Sequence, residues 1–152
     1  MNSWIEIPQN SDFSIHNLPY GVFMRDEKPT PGVAIGDSII DLNAAAKVGV
    51  FAELEFNTSV FESDVLNDFI DCGKDAWAEL RECLTREVTT KGDLFEFREK
   101  VIVDRVSATM CMPVKVGDYT DFYSSIEHAT NLGKLFRPNS EPLLPNWRHI
   151  PV

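Results

Sequence analysis

One short stretch concentrates the side chains that could do chemistry. It runs Gly117-Asp118-Tyr119-Thr120-Asp121-Phe122-Tyr123-Ser124-Ser125-Ile126-Glu127-His128-Ala129-Thr130-Asn131-Leu132-Gly133, with Arg137 four residues on. Asp118 and Asp121 form a D-x-x-D pair of hard oxygen donors, the type that suits Ca²⁺ or Mg²⁺. No Cys/His cluster accompanies them, which argues against zinc. His128 is a candidate general base, because a neutral imidazole accepts a proton near pH 7. Arg137 could clamp a carboxylate with two parallel hydrogen bonds. Each residue also has an ordinary reading. Asp118 and Asp121 fit turn and pre-cap positions. His128 fits a structural or surface histidine, Arg137 a surface cation, and Tyr119 and Tyr123 half-buried packing. Local reasoning reaches an acid–base and metal site and goes no further.

The elements that must position these groups can be read next. Ser124 followed by Glu127 is a capping box, S-x-x-E, and Gly133 fits a C′ position. Together they predict a short helix over about 125–132, entered by an extended Asp121-Phe122-Tyr123. His128 then lies in the first turns, where the partial positive charge of the helix end disfavours imidazolium.

Upstream, Tyr20-Gly21-Val22-Phe23-Met24 reads as a strand, and Pro29 and Pro31 mark the loop after it. Two β-branched runs, Gly32–Ile35 and Ser38–Leu42, flank Gly36-Asp37 and predict a hairpin. Asn43 is placed to cap a short helix Ala44–Val48, with Gly49 at its C′ position. Leu66, Phe69, Ile70, Trp77, Leu80 and Leu84 recur at helical spacing, with Ser63 or Asp64 as cap and Gly73 dividing the run in two. Residues 94–100 are a further helix, and Val101-Ile102-Val103 a strand. Phe69, Trp77 and Phe97 read as core, and His16 and His149 as structural.

Composition narrows the function. The chain has 152 residues, 43% hydrophobic and 25% charged, enough to pack a core. Fourteen basic residues face 24 acidic ones, a net charge of −10, which argues against nucleic acid and anionic membrane as partners. Residues 1–110 carry 10 basic and 20 acidic side chains; residues 111–152 carry 4 of each. That shift marks a boundary near Cys111. No leader and no membrane-spanning run is read. Cys72, Cys83 and Cys111 are odd in number and lack metal-type spacing, so free thiols in a reducing cytoplasm are expected.

The ordered string of motifs resembles the fumarylacetoacetase family. It comprises Asp12-Phe13-Ser14-Ile15-His16-Asn17-Leu18-Pro19-Tyr20-Gly21-Val22-Phe23, Gly32–Asp37, Ala76-Trp77, Gly117–Gly133, Phe136-Arg137 and Pro145-Asn146-Trp147. The resemblance covers essentially the whole chain and well under half of the family's length. It implies an α+β chain, mainly β with short helices: a small SH3-like β-barrel over 1–113, then the opening of a β-rich catalytic domain over 114–152. It implies Asp121 as a metal ligand, Tyr123 and Arg137 as substrate-binding residues and His128 as catalytic base, with no role for Asp118. The activity implied is hydrolysis of a carbon–carbon bond in fumarylacetoacetate, giving fumarate and acetoacetate at the end of tyrosine and phenylalanine breakdown. A Ca²⁺ or Mg²⁺ cofactor, a cytoplasmic location and a homodimer come with it.

Two readings follow. In the first, the chain is the front portion of this hydrolase and is inactive alone, because the other acidic ligands and the carboxylate that orients the histidine lie in later sequence. In the second, it is a non-catalytic β-barrel module for interaction or dimerisation.

Overall fold

Two successive hairpins begin the sheet. Strand β1 (Tyr20–Arg25) turns through Asp26-Glu27 into β2 (Lys28–Ile35), and β2 turns through Gly36-Asp37 into β3 (Ser38–Asp41). Asp26 and Glu27 both have positive φ (48° and 64°), the backbone that matches a two-residue hairpin to the strand twist. Gly36 also has positive φ (55°), and an added Cβ there would run into the Glu6 carbonyl, so only glycine fits the second turn. β4 (Ile102–Asp104) pairs with β3, and β5 (Met110–Cys111) pairs with β1. The sheet is antiparallel and five-stranded, in the order β4-β3-β2-β1-β5. The described residues are 2–122 and 124–149 of this computed structural model.

Pro29 and Pro31 do not form a loop; both lie inside β2, opposite Met24 and Val22. They are tolerated because pairing of β2 with β3 begins only at Gly32, opposite Asp41. On that flank neither proline is asked for the N–H that it lacks.

One face of the sheet builds the core. Val33, Ile35 and Ile40 pack with Leu42, Phe51, Phe61, Phe69, Leu80, Leu84 and Val101. Helix α1 (Leu42–Lys47) follows β3 directly, and its N-cap is Asp41 rather than Asn43. The cap moves upstream because the Asp41 carboxylate accepts the Ala44 N–H at 2.7 Å, so the helix begins at the end of the strand. Gly49 follows the C-cap with φ 90°, as the sequence predicts.

The helical run after residue 66 divides at Gly73 into α2 (Asn67–Asp71) and α3 (Gly73–Thr89). Neither Ser63 nor Asp64 caps it; Leu66 holds the N-cap position with no side-chain bond. α3 buries Ala76, Leu80, Cys83, Leu84, Glu87 and Val88, a stripe at helical spacing. Phe69 is buried, while Trp77 and Phe97 pack against the core from its edge. Glu87 is a buried acid that serves the fold. Its carboxylate accepts the Leu94 N–H at 3.0 Å, closing the turn into α4 (Asp93–Glu96). α5 (Arg98–Val101) then leads into β4.

The α+β class holds, but helices carry more of the chain than strands do, and the sheet is open between β4 and β5 rather than closed. The short β4 and β5 each pair on one side only. Two compact units divide the chain, Met1–Lys115 and Val116–Val152. The second contains α6 (Ile126–Phe136) and a 3-10 turn at Pro145–Arg148. No described helix is long and apolar enough to cross a membrane.

Two expectations follow from the first unit. Asp41 is 3% exposed and receives Arg25 at 2.6 Å as well as the α1 cap bond. Asp41→Ala should therefore destabilise the unit by about 3–5 kcal/mol, the range for breaking a buried ion pair. Asp41→Asn, which keeps an oxygen for Ala44, should cost less; urea denaturation of both variants checks the size and the order. Cys83 is 3% exposed, and burial pushes its thiol up to about 11 against the opposing pull of Arg86. The folded state thus holds this proton more tightly than an open thiol near about 8.5. The resulting stability is complete below that pH and disappears as pH rises through about 11. At pH 8 an alkylating reagent should modify Cys72 and Cys111 and spare Cys83, with all three reacting after unfolding; mass spectrometry reads the pattern.

Candidate functional site

Helix α6 runs from Ile126 to Phe136, three residues beyond Gly133 and with a different cap from that expected. Ser125, not Ser124, is the N-cap. Its Oγ accepts the His128 N–H at 3.3 Å and donates to the Glu127 carboxylate at 3.1 Å. A serine still caps the helix, but the Ser124–Glu127 capping box does not form: Ile126 takes the first helical position, so the third is His128 and not Glu127. Gly133 is interior to the helix. It is glycine because Pro142 crosses there: a Cβ would collide with the Pro142 carbonyl. The chain turns back after Arg137 and lies on α6 at the point where the helix has no side chain.

His128 therefore stands in the first turn of α6, on an exposed position, with its backbone fixed by the Ser125 cap. Arg137 is the C-cap at the other end. Arg137 lies nine positions after His128, about 13 Å along the helix axis. The Arg137 Nη2 donates to the Pro142 carbonyl at 2.7 Å, and its Nε is buried without a hydrogen-bond partner among the described residues. The guanidinium is thus held by the returning chain, with one buried donor still unused. Trp147 Nε1 is a second buried donor of this kind in the same unit. Such orphaned donors are costly unless something accepts from them.

Asp118 and Asp121 lie on the exposed, non-helical stretch before α6. Tyr123 lies outside the described residues. Among the described residues no three His, Cys, Asp or Glu side chains converge as a metal group. Asp121 is a hard oxygen donor and suits Ca²⁺ or Mg²⁺ in kind, but such ions take about six to eight oxygens. The described residues do not make that cage. Glu127, next to His128, is committed to the Ser125 hydroxyl.

The first unit has a cavity of about 230 Å³ on the sheet face opposite the core. Phe13, Gly21, Phe23, Gly32, Ile39 and Met110 line it, with Arg105 at its margin. Gly32 is needed there, since a Cβ would sit 2.6 Å from Ile39 and 2.9 Å from Phe23. Arg105 stacks on Phe13 at 4.3 Å and is fastened to the Gly36 carbonyl and the Asp37 carboxylate. Sequence reasoning missed this face. Its signal is the pairing of two small residues, Gly21 and Gly32, across β1 and β2. None of the candidate residues lines the cavity.

The comparisons with known proteins join these observations. The family model described as Fumarylacetoacetase N-terminal matches residues 16–113. The chain is 44% identical over 158 residues to a fumarylacetoacetase of Dictyostelium discoideum, covering 100% of this chain and 37% of that protein. It is 44% identical over 156 residues to one of Homo sapiens, covering 99% and 37%. To one of Arabidopsis thaliana it is 36% identical over 159 residues, covering 100% and 38%. The chain thus spans well under half the length of these relatives. His128, Asp121 and Arg137 lie beyond the family-model match but within the stretch that aligns with all three relatives. With more than half of its residues matched by that model, the chain belongs to the Fumarylacetoacetase N-terminal family.

Proposed function

We propose that this chain serves as the front portion of a fumarylacetoacetase, which hydrolyses fumarylacetoacetate to fumarate and acetoacetate in tyrosine and phenylalanine breakdown. The observation that carries the reading is the alignment, at 44% identity, of the whole chain with proteins of that name, including the segment 117–137. Residues 1–113 then correspond to the small SH3-like domain and 114–152 to the start of the catalytic domain. The strand order supports the first assignment, because β4 and β5 are the two edges that would meet if the five strands rolled into a barrel.

His128 acts as general base in this reading. It takes a proton from water, and the hydroxide adds to a ketone carbonyl of the substrate. The bond between that carbon and its neighbour breaks, its electron pair leaves as an enolate, and a proton then completes the product. The Ser125 cap holds the His128 backbone in the first turn, so the base projects from a fixed point. Arg137 grips a terminal carboxylate. Its attachment to Pro142 supports this role, since the fork is already oriented before substrate arrives. Tyr123 contributes a second substrate contact. Asp121 provides one oxygen for a divalent cation, Ca²⁺ or Mg²⁺, whose other ligands come from outside the described residues; Asp118 does not take part. The 152-residue chain is accordingly inactive alone. Three free thiols support a cytoplasmic setting, and the homodimer follows from the resemblance.

Two measurements test this. In the complete hydrolase, His128→Ala should lower kcat by about 10²–10⁴-fold with the fold retained; near-normal kcat would remove His128 from the chemistry. Asp121→Ala should raise the divalent-ion concentration needed for half-maximal activity, while Asp118→Ala leaves it close to that of the parent. Equal effects of the two, read in an ion titration after chelation, would show that the wrong aspartate is assigned.

A further inference from the structure

Asn67 is the first residue of α2, one position after the Leu66 N-cap, and its carboxamide bonds outside the helix. Its Nδ2 donates to the Lys115 carbonyl at 3.0 Å, and the Lys115 N–H donates to its Oδ1 at 2.9 Å. One side chain thus satisfies both backbone groups of a single residue 48 positions away, as a neighbouring strand would. Only one orientation of the amide allows this, because the flipped one sets donor against donor and acceptor against acceptor. Beside it the Leu66 N–H donates to the Pro113 carbonyl at 2.8 Å. Leu66 is itself buried, so the clasp is seated on the core.

The clasp is the last hold on the chain before the candidate segment. Among the described residues from Val116 to Phe122, none makes a hydrogen bond. A Cβ added at Gly117 would meet nothing within 4 Å. Lys115 is also the last residue of the first unit.

We propose that Asn67 is a positioning residue: its double hydrogen bond to Lys115 fixes the point from which the Asp121-bearing segment departs. Without it, the free run ahead of Asp121 lengthens towards Pro113, and the carboxylate samples a larger volume. The effect on catalysis rests on the function proposed above; the clasp itself does not.

Asn67→Ala and Asn67→Asp separate the possibilities, followed by amide hydrogen exchange and by steady-state hydrolysis of fumarylacetoacetate in the complete hydrolase. In Asn67→Ala, exchange at Lys115 should quicken about tenfold or more, the loss expected for two ordinary hydrogen bonds, while Leu84 and Val88 in α3 exchange as before. Asn67→Asp keeps the acceptor for the Lys115 N–H and should give an intermediate rate. kcat/KM should fall about tenfold in the alanine variant and less in the aspartate variant. Unchanged exchange at Lys115 overturns the clasp. A uniform rise through α3 makes Asn67 a plain stabilising residue and overturns the positioning role. Normal kcat/KM in Asn67→Ala beside a crippled His128→Ala also overturns it, while the proposed function stands. A fully active His128→Ala removes that function, and the positioning role falls with it.

Discussion

The first unit is organised around one desolvated carboxylate. Asp41 ends β3, caps α1 and binds Arg25 at the end of β1; the same guanidinium reaches the Lys100 carbonyl in α5. Two strands and two helices therefore meet at a single buried acid. An ion pair of this kind contributes little against an apolar replacement, since both charges must leave water. Its value is in what it forbids. The β2–β3 register places Asp41 opposite Gly32, and a slip of one residue would turn the carboxylate to the other face and away from Arg25 and Ala44. The register, the start of α1 and the seat of α5 thus stand or fall together.

That coupling explains what could be read from the sequence in advance. The β2–β3 hairpin, the division of the long helical run at Gly73 and the aromatic core at Phe69 each depend on local signals: turn residues, φ preference and apolar spacing. The details that escaped are those decided by partners distant in sequence. Asn43 has good capping chemistry, yet Asp41 wins because Arg25 also claims it. Pro29 and Pro31 look like loop residues until β3 is seen to end before reaching them. Gly133 looks like a helix stop, but Pro142 crosses the helix there and the glycine lies in its interior. Closure of the sheet was the least legible feature, because it depends on whether the short β4 and β5 meet, and no local pattern reports that.

The candidate site follows the same division. A helix beginning near residue 125, with a serine cap and His128 in its first turn, was legible from spacing alone. The site proposed from Asp121, Tyr123, His128 and Arg137 enters through the resemblance to known hydrolases rather than through periodicity.

The second unit also shows how little its helix is held by its own packing. An 11-residue helix is marginal in water, and α6 buries only Ala129 and Gly133. Leu135 and Phe136 are 71% and 72% exposed. The supports that remain are local: the Ser125 cap at one end, and at the other the Pro142 crossing with the Arg137 bond to its carbonyl. They hold His128 and Arg137 on one helix, with His128 exposed and Arg137 half-buried. Water must be excluded for a charged leaving group to be stabilised strongly. Under the proposed function, that exclusion has to come from elsewhere than these local supports.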